Sequence, residues 1–314
     1  MSRVIRLGTR ASALALAQSR AVAAEISGRA GVEVELATVT THGDVSSASL
    51  ATIGGSGVFA SALREALLAG ECDVVVHSFK DLPTASQPGL TIAAVPKRED
   101  ACDALCARDR LTLGELAPGA RVGTGSPRRR AQVLTARPDL TVADIRGNVD
   151  TRLSKVRAGE FDAVILAAAG LRRLDLAHEA AQLFELADWP TAAGQGALAL
   201  EARSDDADAD LLEILAMVDD EPSRITAGAE RAVLAGLEAG CAAPVGLTAS
   251  LALDSLSIRA CVYNPDGTRV IMCELSRSLE ESKRQQESLR LAADLVRALF
   301  DDGAAELAPG WVGT

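Results

Sequence analysis

Three stretches of this chain carry side chains that could do chemistry. Between Leu116 and Pro138 stand five arginines (Arg121, Arg128, Arg129, Arg130 and Arg137) and no acid. Ser126 is a good helix N-cap and Pro127 suits the first helical position, so Arg128 and Arg129 fall in a first helical turn. That end of a helix is already partly positive, and a cation there costs roughly 0.3–1 kcal/mol. The placement makes sense where an anion sits at the helix N-terminus, held by backbone N–H groups and guanidinium forks. The plainer alternative is a solvated basic stripe. Arg146-Gly147-Asn148 with Arg152 and Lys155 repeats the theme, as do Gly170-Leu171-Arg172-Arg173 and Arg10. Together these arginines suit a cleft that neutralises several carboxylates or phosphates.

The second stretch is His77-Ser78-Phe79-Lys80-Asp81-Leu82-Pro83, just after a buried strand expected over 72–77. Ligands of open α/β sheets bind beyond the carboxyl ends of strands. Lys80 could bind an anion there and Asp81 could transfer protons. The alternative is a turn in which Asp81 only accepts backbone hydrogen bonds. The third stretch, Gly240-Cys241-Ala242-Ala243-Pro244-Val245-Gly246, puts a thiol on a tight loop ahead of a strand. Such a thiol is accessible to covalent modification. No neighbouring His or Asp marks it as a protease nucleophile, and an inert loop cysteine is the other reading.

These groups need a scaffold, and the pattern supplies one. Strand-like and helix-like segments alternate through the first two-thirds of the chain, which implies mostly parallel sheets covered by helices. Helices are expected over 12–27 and 58–68 and from Pro127, Thr151 and Ala168. Strands are expected over 32–40, 72–77, 121–123, 141–145, 163–167 and 198–201. Breaks occur at 96–100 and 189–196. From Asp219 the pattern changes to a helix, three strand candidates (245–253, 256–263 and 269–276) and a charged helix over 279–300, an α+β module with an antiparallel sheet. Gly8-Thr9-Arg10-Ala11-Ser12 is echoed by Gly123-Thr124-Gly125-Ser126-Pro127, so two related strand-to-helix turns are expected, one per lobe.

Composition excludes some partners. A net charge of −11 argues against a general nucleic-acid or anionic-membrane surface, and 3% aromatic residues leave few platforms for bases. No apolar run is long enough to span a bilayer, and no signal-peptide stretch is read at the start. Six cysteines without a C-x-x-C pair read as reduced cytosolic thiols. Three scattered histidines make a histidine-rich metal site unexpected, and no metal ligand is assigned.

Taken in order, eight segments resemble the porphobilinogen deaminase family, whose members are also called hydroxymethylbilane synthases. They begin with Gly8-Thr9-Arg10-Ala11-Ser12, Thr41-His42-Gly43-Asp44, Gly54-Gly55-Ser56-Gly57-Val58-Phe59 and His77-Ser78-Phe79-Lys80-Asp81-Leu82-Pro83. They continue with Gly123-Thr124-Gly125-Ser126-Pro127-Arg128-Arg129, Arg146-Gly147-Asn148-Val149-Asp150-Thr151-Arg152, Gly194-Gln195-Gly196-Ala197 and the Cys241 loop. The resemblance spans nearly the whole chain, and its order and spacing are specific although no single piece is.

It implies three domains: 1–97 plus 197–218, 98–196, and 219–314. The first two would form two α/β lobes like a periplasmic binding protein, with mostly parallel sheets. The third would be α+β with a small antiparallel sheet. Cys241 would carry a dipyrromethane cofactor through a thioether bond. On it four porphobilinogen units would be joined head to tail with loss of ammonia, and water would release hydroxymethylbilane. Asp81 would be the catalytic acid/base. Lys80, Asp81, Thr124, Ser126, Arg128, Arg129 and Arg146 would hold the cofactor. Arg10, Ser12, Arg146, Arg152, Arg173 and Gln195 would bind substrate or the growing chain. A cytoplasmic monomer is implied, with product passed to uroporphyrinogen-III synthase. Thr52 and Ser56 stand where the family commonly carries loop lysines, Ala242 where a glutamine often follows the cysteine, and Phe79 where methionine is usual. From a different class, a two-lobed small-anion binder without chemistry also fits the arginines, although it would need neither Cys241 nor Asp81.

Overall fold

The computed structural model describes residues 3–39, 58–204, 209–238 and 243–307. The loop positions Thr52 and Ser56, the segments 41–44 and 54–57, and Cys241 lie outside the described residues. The chain divides into two compact units, Met1–Glu99 with Ala197–Ala227, and Asp100–Gly196 with Gly228–Thr314. Among the described residues, no helix is long and apolar enough to cross a membrane.

The first unit runs β1 (Val4–Thr9), α1 (Ala13–Ala30), β2 (Glu33–Thr38), α2 (Val58–Leu68), β3 (Val74–Ser78) and β4 (Leu90–Ala94). The second opens with β5 (Asp103–Ala107), β6 (Arg121–Gly123), α3 (Pro127–Ala136), β7 (Thr141–Ala143), α4 (Val149–Arg157), β8 (Ala163–Ala167), α5 (Ala168–Arg173) and β9 (Gln182–Leu183). The chain then returns to the first unit with β10 (Leu198–Arg203) and α6 (Ala209–Ala216). Helix α7 (Glu221–Gly236) begins in the first unit and ends in the second. There β11 (Val245–Ala252), β12 (Ser255–Tyr263), β13 (Val270–Ser278) and α8 (Arg284–Asp301) complete the fold.

The two larger sheets share one plan. Their strand orders are β2-β1-β3-β10-β4 and β7-β6-β8-β5-β9. In the first, β1 is parallel to β2 and β3, and β10 runs antiparallel to β3 and β4. In the second, β6 is parallel to β7 and β8, and β5 runs antiparallel to β8 and β9. The echoed motifs therefore occupy matching places. Each ends a strand paired on both sides, and Ser12 and Ser126 cap the next helix, accepting from Ala15 N (3.3 Å) and Arg129 N (3.4 Å). Glycine is needed at both strand ends. A Cβ at Gly8 would lie 2.8 Å from Cys72 Sγ, and one at Gly123 would lie 2.9 Å from the Phe161 ring.

The cores follow from the alternation. Ile5, Leu7, Val74, Val76 and Leu200 of the first sheet meet Val22 and Ile26 of α1 and Leu215 of α6. In the second unit Leu105, Val122, Val142 and Ile165 gather with Val133 of α3 and the stacked Phe184–Trp189 pair. Strands β4 and β5 were not expected from the sequence. Strand β5 is short and begins with a charged residue, which hid it.

The antiparallel sheet β11-β12-β13, backed by α8, matches the expected α+β module. It packs within the second unit. Thr191 and Leu247 exchange backbone hydrogen bonds (3.0 and 2.7 Å), and Thr135 Oγ1 of α3 donates to Gly267 O at the tip between β12 and β13 (2.8 Å). Gly267 has φ +74, and a Cβ there would lie 2.6 Å from Ala131 O. Gly267→Ala therefore adds left-handed strain and pushes the hairpin off α3. We expect it to destabilise the fold by roughly 1–3 kcal/mol in urea unfolding. An unchanged midpoint would mean that the hairpin does not clasp α3.

Candidate active site

The arginine helix has an internal counter-ion that sequence reading missed. Asp103, fully buried at the start of β5, accepts four side-chain hydrogen bonds. Arg128 Nη1 (2.9 Å) and Trp189 Nε1 (3.1 Å) donate to Oδ2, and Arg129 Nη2 (2.6 Å) and Gln195 Nε2 (2.8 Å) donate to Oδ1. Arg128 Nη1 also donates to Gln132 Oε1 (2.7 Å), and Arg129 Nη1 to Ile165 O (3.0 Å). Burial alone would push the Asp103 carboxyl up, but the charges of Arg128 and Arg129 hold it well below the usual carboxylate range. Burial likewise pulls Arg128 below its usual value, and Asp103 partly restores it. The stretch from Leu116 to Pro138 holds no acid, but the fold brings one to it from β5. The charge clash at the helix start is met first from β5, inside the protein. The signal available in the sequence was an aspartate opening the apolar run 104–107.

One carboxylate does not balance the local charge. Asp103 offsets one of two guanidiniums, and Arg129 Nε is buried without a hydrogen-bond partner. Arg152, at the start of α4, is lowered first by burial, then by the charges of Arg129 and Arg146, with Asp144 opposing. Arg146 Nε meets Asp144 at 3.0 Å in an exposed pair, worth little in water. Arg152 Nε donates to Gly147 O (2.8 Å), and Asn148 caps α4 by accepting from Thr151 N (2.8 Å). The structure thus brings Arg129 and Arg146 each within electrostatic reach of Arg152. A ligand carboxylate would relieve that repulsion and offers an acceptor for the orphaned Nε, so the residues fit a polyanionic group.

The other expected residues of this unit divide. Thr124, buried, accepts from Ser126 N (3.1 Å) and shapes the turn. Arg173 Nη2 donates to Gly196 O (2.7 Å). Gln195 is 0% exposed, and its Nε2 also donates to Ala101 O (2.7 Å). That amide is committed to the Asp103 cluster.

In the first unit, Lys80 and Asp81 stand on a short 3-10 turn, Phe79–Asp81, at the carboxyl end of β3. Phe79 and Leu82 anchor the turn in the core, and Phe79 N donates to Ala197 O (3.0 Å). Asp81 is exposed and Lys80 half-buried. Arg10 and Ser12 lie on the turn from β1 into α1. Beneath the Asp81 turn, buried Glu201 of β10 accepts from Arg64 through both oxygens (2.8 and 3.0 Å) and meets His77 Nε2 at 3.1 Å. Burial would raise Glu201, but hydrogen bonds from His77 and Arg64 leave it lowered. This trio ties β3 to β10 and α2. Sequence reading missed it because its members are far apart along the chain.

Comparison with known proteins decides the family. Residues 5–210 match the family model described as "Porphobilinogen deaminase, dipyromethane cofactor binding domain", and residues 224–296 match "Porphobilinogen deaminase, C-terminal domain". The chain belongs to the porphobilinogen deaminase family. It is 54% identical over 310 residues to the porphobilinogen deaminase of Leifsonia xyli, covering 97% of this chain and 94% of that one. The porphobilinogen deaminase of Thermobifida fusca is 48% identical over 304 residues, covering 96% and 95%. That of Cutibacterium acnes is 49% identical over 325 residues, covering 97% and 96%. The family assignment spans both units, and the resemblance read from eight segments holds over nearly the whole chain.

The buried cluster generates a prediction with a defined sign. Asp103→Asn leaves two buried guanidiniums without their carboxylate, which costs roughly 3–5 kcal/mol. Because folding depresses Asp103 from its ordinary value of 3.8, its contribution is present above about pH 4 and fades as pH falls toward the folded value. Thermal melts should show a large gap between wild type and Asp103→Asn at pH 7 that narrows below pH 4. A gap that stays constant, or widens in acid, would contradict a charged Asp103.

Proposed function

We propose that this member of the porphobilinogen deaminase family is a hydroxymethylbilane synthase. It joins four porphobilinogen molecules head to tail, releases ammonia at each addition, and frees the linear tetrapyrrole by hydrolysis. The observation that carries the reading is the positive charge at Arg129, Arg146 and Arg152, which Asp103 and Asp144 only partly offset, within a protein of net charge −11. Each pyrrole brings an acetate and a propionate, so a lengthening product is the kind of polyanion such a cluster would hold. A charge pair about 4 Å apart gains roughly 4 kcal/mol at an intermediate dielectric.

The residues take these roles. Cys241 anchors a dipyrromethane group by a thioether, and when bound that group supplies the primer for chain growth. Lys80, Thr124, Ser126, Arg128, Arg129 and Arg146 hold its carboxylates. Arg128 Nη1 is shared among Asp103, Gln132 and Pro190 O, so Arg129, Arg146 and Arg152 carry most of the free binding capacity. Arg10, Ser12, Arg146, Arg152 and Arg173 receive incoming porphobilinogen or the growing chain. Asp81 protonates the leaving amine and steadies cationic charge on the pyrrole. Its exposure on a turn anchored by Phe79 and Leu82 suits a group that must reach a substrate. The anion binder without chemistry is not favoured, because the family assignment covers the catalytic and the cofactor-bearing segments alike. We further propose a cytoplasmic monomer that passes its product to uroporphyrinogen-III synthase.

Asp81→Asn tests the chemistry. The variant should fold, and its turnover of porphobilinogen, followed by ammonia release, should fall by about 10²–10⁴-fold. Turnover within a few-fold of wild type would remove Asp81 from its role.

A further inference from the structure

The Asp103 cluster is itself held by a second buried carboxylate. Gly194 N, beside Gln195, donates to Glu230 Oε2 (2.7 Å), and Ala249 N of β11 donates to Glu230 Oε1 (2.9 Å). Glu230 lies on α7 and is 1% exposed. The isolated bridge between Thr191 and Leu247 ties the same loop to the same strand. Strand β11 begins at Val245, four positions after Cys241. A path thus runs by hydrogen bonds from β11 to Glu230 and Gly194, through the peptide bond to Gln195, and by hydrogen bonds from Gln195 to Asp103 and Arg129 (Nη2 to Oε1, 3.4 Å). Every member belongs to the second unit.

We propose that Gln195 and Glu230 are positioning residues. They set the Arg129 guanidinium at a fixed place relative to the strand that follows the thiol, so that tethered and incoming pyrrole carboxylates meet it in register. Gln195 acts through Arg129 and does not touch the ligand. The demand for precision is physical: an anchoring group displaced by about 1 Å can cost on the order of a hundredfold in kcat/KM. A guanidinium on a long side chain holds such a position only where its other contacts are fixed. This inference rests on the function proposed above.

The test uses the full-length protein with porphobilinogen as the probe. Wild type, Gln195→Leu and Glu230→Gln are compared by melting temperature, by the fraction of folded chains with a two-pyrrole mass increment, and by KM and kcat. Gln195→Leu keeps the volume and removes the hydrogen bonds; Glu230→Gln keeps size and one acceptor. In each folded variant we expect fewer adduct-bearing chains, and in the adduct-bearing fraction a KM raised about tenfold or more with kcat nearly kept. A merely structural role would lower the melting temperature and leave KM and the adduct fraction unchanged, and that result overturns the proposal. Should one variant fail to fold, the other decides by the same criterion. A wild-type chain with neither adduct nor turnover would overturn the proposed function itself, and this inference with it.

Discussion

Two guanidiniums share one fully buried carboxylate at the centre of the second unit, and much else there is arranged around that fact. Taking three charges out of water is costly, and their attraction offsets the cost only when each remaining donor and acceptor is also satisfied. Trp189 and Gln195 complete the carboxylate, while Gln132 and Ile165 O take up further guanidinium donors. Arg129 Nε is left open, but buried networks satisfied to this extent fix a single geometry more than they add stability. What they fix here is the start of α3 and the heads of Arg128 and Arg129. The cluster keeps one net positive charge. That charge is the feature a ligand carboxylate can answer, together with the half-buried Arg152 and the exposed Arg146.

The sequence made the outline of this arrangement legible. Ser126-Pro127 predicted the helix start, and the structure places the cap and the first helical residue there. The echo between Gly8–Ser12 and Gly123–Pro127 became two equivalent turns in two sheets of the same plan. The strands of the third module were expected within a few residues of their ends. The clash between arginines and helix dipole correctly marked a place where an anion is required, but a local argument could not say which one. The first answer is Asp103, which lies 25 positions before Arg128. Its strand β5 pairs antiparallel with β8, a contact that periodicity does not reveal. The same limit hid Glu201, which reaches Arg64 and His77 across 137 and 124 positions. Gln195 was legible as a motif residue but not as a buried partner of Asp103, because burial depends on the folded surroundings.

The first unit solves a different problem. Asp81, the proposed acid/base, is exposed yet held in place, because the turn 79–81 buries Phe79 and Leu82 on either side of Lys80 and Asp81. The Arg64–Glu201–His77 trio below holds the strand end that delivers the turn. In both units, therefore, a buried carboxylate stabilises the base from which the chemically useful groups project.

The central claim is that the arginines serve a polyanionic ligand tethered at Cys241, and one measurement addresses it most directly. Freshly made protein is denatured and its intact mass determined for wild type and Cys241→Ser. The account predicts an increment matching two linked pyrroles on the wild-type chain and its absence from the variant. A bare chain mass for wild type, or an increment that survives Cys241→Ser, would contradict it.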